Sequence, residues 1–322
     1  MMILHVIAAG AALVLGVTAT ACAADFPQKP IRMVVSYPAG GSTDMIARLY
    51  AEKLGQELKQ SVVVDNRPGA ATNIGADAVA KARPDGYTVL FGGGTPSVNS
   101  IFGPQPPFDP VKSFEPVSMI ARVPFVVAAH AKAPFSNVQE MLAKSKQSPG
   151  KYTVSSAQLH LYVEMLKSRA AAPFMHVPYK GGAQATTDAI GGQVDAVFAL
   201  VPVLLPHIQS GHLKALGISS RQRIAALPAV PTFEESGVRY DIGIWFGLLA
   251  PAATPEPIVR QLAEATQRIV AQEDFSRKLE QIGAQATATT PAALRTFMEE
   301  EVQTWKGLAK SMPELQKAVE LR

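Results

Sequence analysis

Ile31-Arg32-Met33-Val34-Val35-Ser36-Tyr37-Pro38-Ala39-Gly40-Gly41-Ser42-Thr43-Asp44 is the stretch on which the fold turns. Its first part, Ile31 to Tyr37, is apolar and β-rich enough for a buried strand, and Pro38-Ala39-Gly40-Gly41 breaks it. From Asp44 onward, Ile46, Leu49, Tyr50, Leu54 and Leu58 recur at helical spacing. A buried strand feeding a helix through a glycine turn is half of a βαβ unit. Outward from it, Val62 to Val64 reads as the next strand, followed by the turn Asn66-Arg67-Pro68-Gly69. Asn73 to Ala82 is a second helix and Tyr87 to Phe91 a third strand. This alternation predicts a largely parallel sheet covered on both faces.

The rhythm breaks at Gly92-Gly93-Gly94 and at residues 103–110, an irregular loop with prolines at 104, 106, 107 and 110. It then restarts. Strands are expected at Pro116–Ile120, Phe125–Ala129, Tyr152–Ser155, Phe174–Val177, Val194–Leu200 and Leu213–Ser219. Helices are expected at Val138–Lys146, Leu161–Arg169 and Ala183–Ile190. Ile242 to Ala250 returns as an apolar strand, and the tail is helical at Pro255–Ala271 and Ala292–Lys310. Two α/β units with a tail returning to the first predict two lobes with a cleft between them, the natural ligand site. The chain is expected to cross near Val123 to Val127 and again near Ile242 to Leu249. Lobe 1 is then 25–124 plus 247–322, and lobe 2 is 125–246.

Residues 1–24 carry no Lys, Arg, Asp or Glu and end on Ala19-Thr20-Ala21-Cys22-Ala23-Ala24. An apolar run closed by small residues reads as a signal peptide and places the protein in the periplasm. Two alternatives stay open: retention as a membrane anchor, and lipidation of Cys22. Cys22 is the only cysteine, so the mature chain has no disulfide and no thiolate metal site. The formal net charge of +4 forms no basic run, which argues against a nucleic-acid partner.

The glycine pair at 40–41 lets the backbone approach a ligand closely, and the amides opening the following helix suit an anion. Ser42, Thr43 or Asp44 can each cap that helix. The same spacing also fits a plain strand-to-helix turn. Gly92-Gly93-Gly94-Thr95-Pro96-Ser97 follows a strand as well, but has neither the G-x-G-x-x-G order nor a Walker lysine. It reads either as a flexible crossover or as a second wall of the cleft. In His176-Val177-Pro178-Tyr179-Lys180-Gly181-Gly182, Tyr179 or Lys180 can meet a ligand. No G-x-S-x-G elbow and no H-E-x-x-H is present. His160 and Glu164 are an i, i+4 pair, too few ligands for a metal and better suited to steadying a helix face. No catalytic residue, metal or cofactor is therefore expected.

The chain resembles the Bug family, the extracytoplasmic receptors of tripartite tricarboxylate transporters. The resemblance rests on Pro30-Ile31-Arg32, Pro38-Ala39-Gly40-Gly41 with Asp44, Val64-Asp65-Asn66-Arg67-Pro68-Gly69-Ala70, Asn73-Ile74-Gly75-Ala76 and Ala80 to Thr88. It continues through Phe108-Asp109-Pro110, His176 to Gly181, Gly191 to Asp195, Leu227 to Thr232 and Trp245 to Pro251. It implies a type II-like Venus-flytrap fold with two parallel-rich sheets, working as a monomer. It also implies a small carboxylate ligand, with membrane transporter subunits or a membrane sensor as partner. Carried onto this chain, the first-lobe contacts are Tyr37, Ala39, Gly40, Gly41, Ser42, Thr43 and Asp44, with Thr95 and Ser97 on the 92–97 wall. Second-lobe contacts are Ser155, Ser156, Tyr179 and Phe198. Two departures fall on that second lobe. Tyr152 to Leu161 lacks the family's glycines and is short, and Phe198-Ala199-Leu200 replaces a polar pair after the Phe. Both predict a less polar far end of the pocket, suited to a monocarboxylate with an apolar or aromatic body. An exported enzyme acting on a similar acid is the other reading.

Overall fold

In the computed structural model, residues 26–313 are described, except Gln158 and Lys180; the expected leader and Cys22 lie outside them. β1 (Ile31–Val35) is buried almost throughout, because helices cover both of its faces. It pairs in parallel with β2 (Val62–Asn66) and β3 (Thr88–Gly92). The crossovers are α1 (Ser42–Leu58) and α2 (Asn73–Ala80). After β3 comes α3 (Thr95–Phe102), where the sequence suggested only a loop. Gly92-Gly93-Gly94 hides its start, yet Pro96 sits in its first turn, where the missing N–H costs nothing.

The expected strands at 116–120 and 125–129 are one element, β4 (Phe114–His130), of 17 residues. Up to Pro124 it pairs antiparallel with β9 (Gly243–Pro251), and β10 (Gln285–Ala286) pairs at 121–122. From Phe125 it pairs with β7 (Ala196–Leu200) and β8 (Leu213–Ile218). Pro124, with no N–H to donate, stands where the partners change, and two register shifts bend the strand before it. Past β4 come α4 (Val138–Gln147), β5 (Thr153–Ala157), α5 (His160–Ala170), β6 (Met175–Tyr179) and α6 (Gly182–Ile190). β5 pairs in parallel with β6 and β7, mirroring the first trio. α7 (Val201–Gln209) links β7 to β8, and its two prolines leave no helical signature in sequence. The tail holds α8 (Glu256–Val270), α9 (Glu273–Gln281) and α10 (Pro291–Ser311).

The strand order is β2-β1-β3-β9-β4-β7-β5-β6. Each end is a parallel trio, and the antiparallel β4 and β9 join them, so the molecule is a bilobal mixed α/β fold around a curled sheet. Ser219 fastens the join. Its Oγ accepts the Phe125 N–H at 2.8 Å and donates to the Ile242 carbonyl, and its own amide donates to the Phe125 carbonyl at 2.9 Å. α10 spans the same junction: Leu294 and Met298 pack with Val34 and Leu90, while Trp305 packs with Phe102, Phe125 and Leu161.

Candidate functional site

The backbone from Pro38 to Gly41 is exposed at the carboxyl end of β1, directly before α1. Gly40 has φ +82°, which only glycine adopts freely. The residue capping α1 is Gly41, and no side chain makes the capping bond, so the capping role expected of Ser42, Thr43 or Asp44 is not what they do. Asp44 reaches back instead and accepts the Gly40 N–H at 2.9 Å through Oδ2. Arg48 Nε donates to the same oxygen at 2.9 Å, and Asn66 Nδ2 donates to Oδ1 at 2.9 Å. Asn66 Nδ2 also donates to the Tyr37 carbonyl at 3.1 Å, closing both ends of the loop onto one carboxylate. Burial raises the Asp44 pKa, but the donors Arg48, Gly40 and Asn66 outweigh it and hold the carboxyl below the usual aspartate range. Asp44 thus stays ionised and fixes the loop by holding the Gly40 N–H.

The two expected walls meet. The Tyr37 hydroxyl and Thr95 Oγ1 are 2.8 Å apart, joining the end of β1 to the start of α3, and burial pushes the Tyr37 phenol up. Ser97 is buried behind that start, beside the Glu301 carboxyl of α10. Thr43 is buried and Ser42 half-buried. Behind both walls lies a water-sized cavity lined by Ser36, Tyr37, Thr72, Gly92, Gly93 and Pro96.

The second-lobe residues are placed differently. Ser155 Oγ donates to the carbonyls of Ala185 and Ala196 at 3.3 Å each. Ser156 Oγ is 2.9 Å from His176 Nε2, and His176 Nδ1 is 3.2 Å from Glu164 Oε1. That connectivity is serine, histidine, carboxylate, but Ser156 is 0 % exposed, so no substrate carbonyl reaches its hydroxyl. The chain of bonds ties β5, β6 and α5 together. Glu164 pairs with His176 and Lys167, and the His160 ring lies 5.1 Å from that of His176. The Tyr179 hydroxyl donates to Asp188 at 2.6 Å. Phe198 is 0 % exposed in the core, its ring 4.8 Å from Phe125 and 6.4 Å from Tyr240.

Sequence reasoning missed Arg48, Asn66, Tyr162 and Glu301. Arg48 was detectable, standing four residues after Asp44 on a helix. Tyr162 of α5 packs its ring 4.9 Å from Phe125 and 5.7 Å from Trp305, crossing from one lobe to α10, and nothing in sequence marks it. Among the described residues, no three His, Cys, Asp or Glu gather as a metal site, and no helix is long and apolar enough to cross a membrane.

Residues 46–313 match the family model described as "Tripartite tricarboxylate transporter family receptor". The chain is 36% identical to "Protein BugT" of Bordetella pertussis over 306 residues, covering 92% of this chain and 93% of that protein. The structure of the periplasmic binding protein BugD superposes with a TM-score of 0.75 at 34% identity, over 89% of this chain and 98% of that one. R. palustris Rpa4515, solved with adipate, superposes with a TM-score of 0.79 at 32% identity, over 89% and 98%.

Proposed function

The chain belongs to the tripartite tricarboxylate transporter receptor family, and on that footing we propose that it is a periplasmic receptor, not an enzyme, that captures one small organic carboxylate between its lobes. Lobe 1 is then residues 25–124 with 247–322, lobe 2 is 125–246, and the signal peptide is 1–24. The partners are membrane transporter subunits, and the receptor acts as a monomer. The observation that carries this reading is Asp44. A buried, ionised carboxylate there fixes an exposed glycine loop directly before the start of α1, a place where backbone amides can grip an anion without a cationic side chain. Ala39, Gly41, Ser42 and Thr43 offer those amides, Gly40 presents bare backbone between them while its own N–H is held by Asp44, and Tyr37, Thr95 and Ser97 shape the adjoining wall.

The ligand's body extends toward lobe 2. The hydroxyls of Ser155, Ser156 and Tyr179 are engaged inside that lobe, and Phe198 is core. A second carboxylate buried against those four side chains would find no free hydroxyl among them, and an unpaired buried charge is costly. A monocarboxylate with an apolar or aromatic body fits best. Rpa4515, with adipate, is the relative against which this is weighed. Native mass spectrometry of the purified protein should find one retained acid of this class per chain. Steady conversion of added acids to products would refute the receptor reading.

A further inference from the structure

Glu301 is the buried ionisable group that the ligand site itself does not use. It lies where α10 passes from one lobe to the other. Trp245 Nε1 of β9 donates to its Oε1 at 2.9 Å, and Ser97 of α3 and Trp305 of α10 stand beside the same carboxyl. Oε2 is buried with no hydrogen-bond partner among the described residues, and so is Trp305 Nε1 one turn along the helix. A Cβ placed on Gly94 would overlap both carboxyl oxygens, so the group sits directly behind the Gly94-Thr95 backbone that forms the second wall of the cleft. From lobe 2, Tyr162 of α5 packs edge-on against Trp305, ring centroids 5.7 Å apart. The compensating cation is Arg122 of β4, which is itself 4.0 Å from Asp241.

We propose that capture of an anionic ligand at the 38–44 and 92–97 loops is coupled to protonation of Glu301, so that the receptor takes up a proton together with its ligand. This rests on the carboxylate-receptor reading above and adds to it. Burial lifts the Glu301 carboxyl to about 7, so near neutral pH both of its forms are populated in the free protein. A ligand carboxylate arriving in front of Gly94 and Thr95 shares the positive end of α3 with Glu301 and repels its charge. That repulsion favours the neutral form. The proton comes from solvent and binds a carboxyl oxygen, and no covalent bond to the ligand forms. By linkage, affinity is highest below pH 7 and falls as pH rises above it.

Trp245 and Trp305 are the chain's only tryptophans, so intrinsic emission reports on Glu301 directly. The probe is whichever of benzoate, hexanoate, adipate or malate stabilises the protein most. Titration calorimetry at pH 7 in buffers of differing ionisation enthalpy should show uptake of up to ~0.5 proton per ligand in the wild type, since a group at its pKa is half ionised. Glu301→Gln should bind with no uptake. Wild-type emission should titrate near pH 7 without ligand and at higher pH with it. Zero uptake, equal uptake in Glu301→Gln, or an emission midpoint that ligand leaves unmoved would overturn the coupling while leaving the receptor reading intact. If none of the four acids binds, the receptor reading falls and the coupling falls with it.

Discussion

At the residue scale, two carboxylates have opposite fates. Asp44 gathers Gly40, Arg48 and Asn66 and is held ionised. Asp44→Ala frees the loop ends and should weaken ligand binding about tenfold, equivalent to roughly 1.4 kcal/mol, with the fold retained. Calorimetry checks this, and unchanged affinity would reduce the loop to a turn. Glu301 has too few donors for its burial and is pushed up to about 7. An unfolded chain ionises this group from about 4.5 while the native one keeps its proton. The contribution of Glu301 to native stability therefore falls as pH rises from about 4.5 to 7, then stays level. Melting temperatures of wild type and Glu301→Gln should converge at the acid end and separate through that window in favour of the variant. Parallel profiles would contradict it. Asp44 was legible in sequence as a polar residue opening a helix after a glycine turn. Glu301 was not, because Glu299-Glu300-Glu301 reads as a solvated face, and only the passage of α10 between lobes buries the third.

At the scale of elements, the βα units were legible because apolar strands and helical spacing are local signals. α3, α7 and α9 were not. Their sequences are short, and glycine, proline or charge dominates them. The segment before α2 is a sharper case. Ala70, Ala71 and Thr72 have φ of +45°, +50° and +79°, left-handed values that cost a non-glycine residue ~1–2 kcal/mol. Tertiary contacts hold them: Asn99 of α3 donates to the Ala71 carbonyl at 2.7 Å, and Asn73 donates to Pro104 at 3.0 Å. Asn66-Arg67-Pro68-Gly69 announced a turn, but nothing local announced three further left-handed residues. Ala71→Gly should relieve part of that strain and raise stability by about 0.5–1 kcal/mol, net of glycine's greater freedom when unfolded. Urea denaturation measures it, and a loss of stability would show that the alanine methyl contributes packing that outweighs the strain.

At the scale of the whole molecule, the two-lobed plan was visible where the α/β rhythm breaks and restarts. What sequence could not show is that β4 runs through both sheets and that Ser219 ties it to the returning chain at Ile242. Both depend on partners 94 and 23 residues away. The junction matters because Tyr162, Trp305 and Glu301 meet there, putting the cleft and the fastening of the lobes in contact. The central claim is that these lobes close on one small carboxylate whose far end is apolar. Its most direct test is titration calorimetry of the mature protein against benzoate, hexanoate, adipate, malate and citrate. The account predicts saturable binding of one molecule per chain, tightest for a monocarboxylate. Selective binding of citrate, or no saturable binding of any of the five, would contradict it.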